Sequence, residues 1–260
     1  MNQILLFSSL KGGVGKTTAV SSLAAALAFC KRRVLCVDLD FGVRGLDLAL
    51  GAENTCGEDV LEVIRSGLDV KKYATELEEN LFFLPAPALF DTRAPASVGQ
   101  EELNAFLALC KRQFDFTLLD LPAGGGELFL PLAGNPLLSG TIVLSTPEVT
   151  SVRAAEQTGY EIRAAGSDSI RLILNRYPVN DPDRPDLFRL AGSAGIPVLG
   201  VVPEEKTAPE ALAAGVPLSR LMTGAGNAYR NIAARLCGQS VPILEGVLPP
   251  RKRKRLQKQK

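Results

Sequence analysis

Ten residues, Ser9-Leu-Lys-Gly-Gly-Val-Gly-Lys-Thr-Thr18, limit what this chain can fold into more than any other segment. They follow an apolar run, Ile4–Phe7, and open a helical pattern through Ala19, Leu23, Ala24 and Leu27. Strand, glycine-rich loop and helix in that order form the context of a phosphate-binding loop. Gly12, Gly13 and Gly15 let the backbone curl so that its N–H groups face an oxyanion. The next helix adds its positive end. Lys16 is predicted to reach the β- and γ-phosphates of a nucleotide, and the Thr17 hydroxyl to hold Mg²⁺. Val14 and Thr18 complete the set facing the nucleotide. A glycine turn that binds nothing is disfavoured, because motif and context agree.

The loop has two peculiarities. The pattern G-x-x-x-x-G-K-[ST] asks for glycine at position 10, where this chain has Leu10, and a second lysine, Lys11, stands early in the loop.

The length of 260 residues, 46% of them hydrophobic, suits one large α/β domain with a buried core. There is no histidine, which excludes histidine acid–base chemistry and histidine metal sites. The five cysteines, Cys30, Cys36, Cys56, Cys110 and Cys237, show no C-x-x-C spacing and read as small buried hydrophobes rather than ligands. No charged-then-apolar leader precedes the first strand, and no apolar stretch is long enough to span a bilayer. The expected location is cytoplasmic, with peripheral attachment to the cytoplasmic face of the membrane as an extension of that expectation.

Nearly continuous apolar runs at Ile4–Phe7, Val34–Asp38, Leu81–Leu84, Phe116–Asp120, Thr141–Thr146, Ile170–Asn175 and Val198–Val202 predict parallel strands covered on both faces. Helical patterns lie between them, for example Glu101–Arg112 and Val152–Ala165. The alternation implies a doubly wound, mostly parallel α/β sheet with helices on both faces, of the P-loop NTPase type. Functional residues are then expected just after the strands. Asp38 and Asp40 follow the second run. One is predicted to accept from an attacking water and the other to order the water or metal shell, unless both merely cap the next turn. Asp120 ends an apolar strand and is followed by Leu-Pro-Ala-Gly-Gly-Gly126, which suits a carboxylate holding a water of the Mg²⁺ shell ahead of a switch that moves when the γ-phosphate leaves, with a plain glycine loop as the rival reading.

These segments resemble the ParA/MinD ATPases, whose phosphate loop has the form K-G-G-V-G-K-T-T. The stretches Asp38-Leu-Asp-Phe-Gly-Val-Arg44-Gly-Leu46-Asp47, Asp120-Leu-Pro-Ala-Gly, Pro147-Glu-Val-Thr-Ser-Val-Arg153, Asn175-Arg176 and Gly200-Val-Val-Pro203-Glu204 are similar to the MinD branch in order and spacing, from residue 3 to about residue 242. The resemblance implies an ATPase that dimerises with ATP and Mg²⁺ and acts in division-site placement. It implies that Lys11 reaches the partner's nucleotide and that Asp40 positions the hydrolytic water. Asn175, Arg176, Pro203 and Glu204 are implied around the adenine. Residues 148–153 are implied to start a helix near the nucleotide or a partner; otherwise they are an ordinary helix start with Ser151 as cap. An activator or a division-inhibitor protein is the implied partner. The chain departs from the branch at Leu10, at Gly45 in place of asparagine, and at Leu121 in place of serine, which removes a hydroxyl from the site's edge.

The C-terminus departs most. Residues 251–260 carry seven basic groups and no acid. Removing them leaves 22 basic against 28 acidic side chains, a net of −6. The expected division is an ATPase domain over residues 1–248 and a disordered basic tail over 249–260. The tail suits an anionic membrane surface at ~1 kcal/mol per seated charge. It also suits DNA, which keeps a ParA-like partition ATPase as the alternative. A tail that only solubilises, and a metabolic phosphotransferase sharing the loop, are the remaining readings.

Overall fold

The computed structural model describes residues 2–53, 57–88 and 98–245. Among these residues eight strands run in chain order as β1 (Gln3–Ser8), β2 (Val34–Asp38), β3 (Thr75–Glu78), β4 (Leu81–Leu84), β5 (Phe116–Asp120), β6 (Gly140–Ser145), β7 (Ile170–Tyr177) and β8 (Val198–Pro203). They form one sheet in the order β3-β4-β2-β5-β1-β6-β7-β8. Every pairing is parallel except β3 with β4. The helices are α1 (Lys16–Phe29), α2 (Leu46–Leu50), α3 (Val60–Ser66), α4 (Val70–Tyr73), α5 (Gln100–Gln113), α6 (Phe129–Ala133), α7 (Val149–Ala164), α8 (Leu187–Ala194), α9 (Ala208–Ala213) and α10 (Gly224–Leu236).

The two-residue period of a strand sorts its side chains between two cores. Ile4 and Leu6 of β1, with Leu35 and Val37 of β2, pack on the face covered by α3, α5 and α7. Their neighbours Leu5, Phe7, Val34 and Cys36 pack on the face covered by α1 and α10. The doubly wound, mostly parallel reading is therefore met. The seven predicted strands all appear, within one or two residues of their expected limits.

Three local readings need correction. Strand β3 was not foreseen: Thr75-Glu-Leu-Glu78 alternates half-buried with exposed positions, and its polar side chains suit a protected sheet edge. Helix α7 begins at Val149 with Glu148 in the cap position, so Ser151 is no cap. Instead the buried Ser151 hydroxyl accepts the Thr146 N–H at 2.9 Å, tying the helix to the end of β6. Of the cysteines, Cys36 and Cys110 are buried as expected, but Cys30 is exposed at the end of α1. Cys56 and the tail from residue 246 onward lie outside the described residues.

Candidate nucleotide site

The phosphate loop joins the central strand β1 to α1. Gly13 and Gly15 lie in the left-handed region, at φ 74° and 87°. A β-carbon on Gly15 would also run into Asn175 Nδ2 and displace that side chain, so the position favours glycine for space as well as for backbone conformation. The helix that follows starts at Lys16 with its first N–H groups free of any side-chain cap. Those donors and the curled loop form an anion-binding cradle.

Lys16 is 8% exposed and its Nζ donates to Asp120 Oδ1 at 2.8 Å. Asp120 ends β5, which lies between β1 and β2, with Phe7 and Asp38 at its own level in the ladder. The ladder thus places two aspartates side by side under one lysine. Burial, with Asp120 alongside, pushes the Asp38 carboxyl up to about 7. Burial also pushes Asp120 up, countered by Lys16 and by the Thr17 hydroxyl. The other Asp120 oxygen, Oδ2, is buried without a full hydrogen bond. A buried carboxylate with spare acceptor capacity beside a threonine hydroxyl fits a hydrated Mg²⁺, a hard cation that takes oxygen donors.

Asp38 accepts from the Asp40 N–H at 2.9 Å and from the Leu46 N–H at 3.2 Å, which anchors the loop leading into α2. Asp40 Oδ1 accepts from the Gly42 and Val43 N–H groups, both at 3.1 Å. Both acids therefore hold the turn together in this state. After Asp120, Gly124, Gly125 and Gly126 all have left-handed backbones, and the Gly124 N–H bonds the Ser9 carbonyl at 3.0 Å. The glycine segment is thereby coupled to the phosphate loop. Leu121 is fully buried, in one apolar cluster with Leu39, Phe41, Leu128 and Phe129, and it lines a cleft shared with Asp40 and Gly42.

Lys11 sits on the rim. Its ammonium pairs with Glu148 and donates to Thr150 Oγ1 at 3.1 Å, both at the start of α7. Lys11 holds the Glu148 carboxyl below its ordinary range. Sequence reading missed this partnership, although the Pro147-Glu148-Val149 segment marked the place. At the other end of the loop, Asn175 Nδ2 donates to the Val14 carbonyl at 2.8 Å. Asn175, Arg176, Pro203 and Glu204 line one cleft with Gly15 and Thr18, joined by the unforeseen Tyr229. The structure thus brings together all the expected site residues in two adjoining places, the loop with its aspartates and this cleft.

A family model described as the CobQ/CobB/MinD/ParA nucleotide binding domain matches residues 5–218. The chain belongs to the MinD/ParA family. Septum site-determining protein MinD of Bacillus subtilis is 31% identical over 94% of this chain and 92% of its own length. The Synechocystis protein of that name is 31% identical over 94% and 93%. Among solved structures, MinD in the MinC:MinD cell division complex of Aquifex aeolicus superposes with a TM-score of 0.78 at 26% identity, covering 92% of this chain and 98% of that one. MinD of Pyrococcus horikoshii complexed with Mg-ADP shares the fold, with a TM-score of 0.76 at 24% identity over 91% and 96%. The chain is a MinD-like nucleotide-binding ATPase.

Proposed function

We propose that this MinD-like ATPase is a nucleotide switch in division-site placement, its ATPase domain spanning residues 1–248. The observation that carries the reading is the buried Lys16–Asp120 pair beneath a glycine cradle, with Thr17 beside it. In this reading the loop N–H groups and Lys16 bind the β- and γ-phosphates of ATP, and Lys16 gives up Asp120 to do so. Thr17 and Asp120, the latter through water, would hold Mg²⁺, which supplies charge neutralisation at the phosphates. Asp40 accepts from the attacking water once its turn re-forms, and Asp38 holds that turn in register. Asn175, Arg176, Pro203 and Glu204 enclose the adenine.

Lys11 leaves Glu148 and reaches the nucleotide of a second copy, so that ATP joins two chains face to face. The paired state engages a partner or a surface, and hydrolysis releases it. The relative from Aquifex was solved with MinC, which favours a division-inhibitor protein as a partner here too. An activator of hydrolysis is the second partner in this reading. No helix among the described residues is long and apolar enough to cross a membrane. Attachment is assigned to the basic residues 251–260, which favour anionic lipid through charge, in a manner weakened by salt. Two tails per dimer raise the avidity.

The test is flotation of full-length protein and a 1–248 truncation on anionic vesicles, with ATP and Mg²⁺, at low and high salt. Full-length protein is expected to float at low salt only, and the truncation to stay behind. Retardation of DNA without flotation selects the ParA-like alternative, and neither result leaves a solubilising tail.

A further inference from the structure

Tyr229 stands in α10 against α1 and β8, with its ring fully buried in the core of that face. Its hydroxyl is enclosed as well and has no hydrogen-bond partner. A phenol left unpaired in a protein interior is costly, so the Tyr229 hydroxyl keeps a donor to offer. Tyr229 is also part of the wall of the cleft formed by Asn175, Arg176, Pro203 and Glu204. That cleft holds a cavity of about 40 Å³, too small for a purine. A base can enter only if the wall parts. One wall residue, Arg176, is held at φ 53°, a left-handed backbone that a side chain of this size rarely adopts. The cleft thus combines a wall residue in a strained backbone conformation with one whose buried hydroxyl has a donor to spare.

We propose that Tyr229 is a contact residue for the nucleoside of ATP, its hydroxyl donating to an acceptor on the base or ribose once the cleft opens. The inference rests on the reading that this cleft, rather than another surface, receives the adenosine. The phosphates are held by the loop whatever the base, so Tyr229 acts on the discrimination between nucleosides. A site built to hydrogen-bond one ligand rejects those that leave its buried groups unpaired.

Tyr229→Phe keeps the ring and removes only the hydroxyl. If the hydroxyl awaits a ligand, the nucleotide-free variant melts no lower than the wild type, because an unsatisfied group has been deleted. Its affinity for Mg-ATP in calorimetry falls about three- to tenfold, the size of one hydrogen bond. Titration with 2′-deoxy-ATP narrows the acceptor: a loss confined to ATP places it on the ribose 2′-hydroxyl, and an equal loss for both nucleotides places it on the base or on another oxygen of the ribose. Unchanged ATP affinity in Tyr229→Phe overturns the inference. Arg176→Ala, measured in parallel, separates the two ways of failing. If Arg176→Ala weakens ATP and Tyr229→Phe does not, the cleft reading stands and the Tyr229 contact is rejected. If neither variant weakens ATP, the adenosine lies elsewhere and both are rejected. A lower melting point in Tyr229→Phe with unaltered ATP affinity assigns the hydroxyl a purely structural role.

Discussion

Lys16 and Lys11 belong to one loop, five residues apart, and meet opposite fates. Lys16 is sunk in the floor, 8% exposed, against an aspartate that is 1% exposed. Lys11 lies on the rim, one-third exposed, against a glutamate that is 64% exposed. Removing one member of a buried pair leaves an unpaired charge in a poor solvent. A rim pair exchanges its partner for water at little cost. The floor is therefore suited to a permanent post that changes ligand without moving far. The rim is suited to a contact made and unmade at each turnover. The chemistry of the two cations is the same, and burial alone divides their work.

The strongest attempt to break this contrast is Lys16→Ala. It is expected to lose ATP binding altogether in calorimetry. It also strands Asp120, and unfolding should become easier by about 3–5 kcal/mol. Retained ATP affinity would show that the floor lysine is not the phosphate ligand. Lys11→Ala should leave both ATP affinity and the melting temperature nearly untouched. Light scattering should find no ATP-dependent dimer, and turnover should fall about a thousandfold, as for a cation supplied in trans. A destabilised monomer would mean that the rim contact is structural after all. Asp40→Ala sits between floor and rim. It is expected to keep the ATP-bound dimer and slow phosphate release about a hundredfold. Normal release would move the water-positioning role elsewhere.

The smallest expected effect concerns protons in the floor. Asp38 is raised to about 7 by burial and by Asp120. Between about pH 4 and 7 the folded chain holds a proton that the unfolded chain has released. Stability of the nucleotide-free, metal-free protein therefore falls as pH rises through that window. Asp38→Asn should make the slope shallower in denaturant titrations at several pH values. Asp120 shifts in the same direction, so the slope should not vanish. An unchanged slope would place the proton on Asp120 alone.

The floor was largely legible from sequence, and the rim was not. Buried parallel strands read as unbroken apolar runs, so Val34–Asp38 and Phe116–Asp120 declare both their limits and their terminal acids. Strand β3 hid because Glu76 and Glu78 carry the signature of a loop. Ser151 looked like a helix cap because the hydroxyl's true partner, the Thr146 N–H, is set by how α7 folds back on β6. The Lys11–Glu148 pair spans 137 residues, and no local pattern reports a contact at that distance. Leu121 reads from sequence only as a lost hydroxyl at the site's edge; that it also joins the apolar cluster around Leu39 and Phe129 is a matter of tertiary packing. Tyr229 was invisible for a related reason: its ring has the periodicity of an ordinary core position, and only the sheet brings it to the cleft.

The position of β1 has a bearing on which parts of the molecule can open on their own. It is flanked by β5 and β6 and lies three or more strands from either edge of the sheet. Its amides should exchange with solvent hydrogen only when the whole domain unfolds, whereas those of β3 and β8 should exchange through partial openings. The strand that delivers the phosphate loop is thereby insulated from the breathing of the periphery. Nucleotide should protect the edge by β8 and the start of α7 far more than the strand leading into the loop.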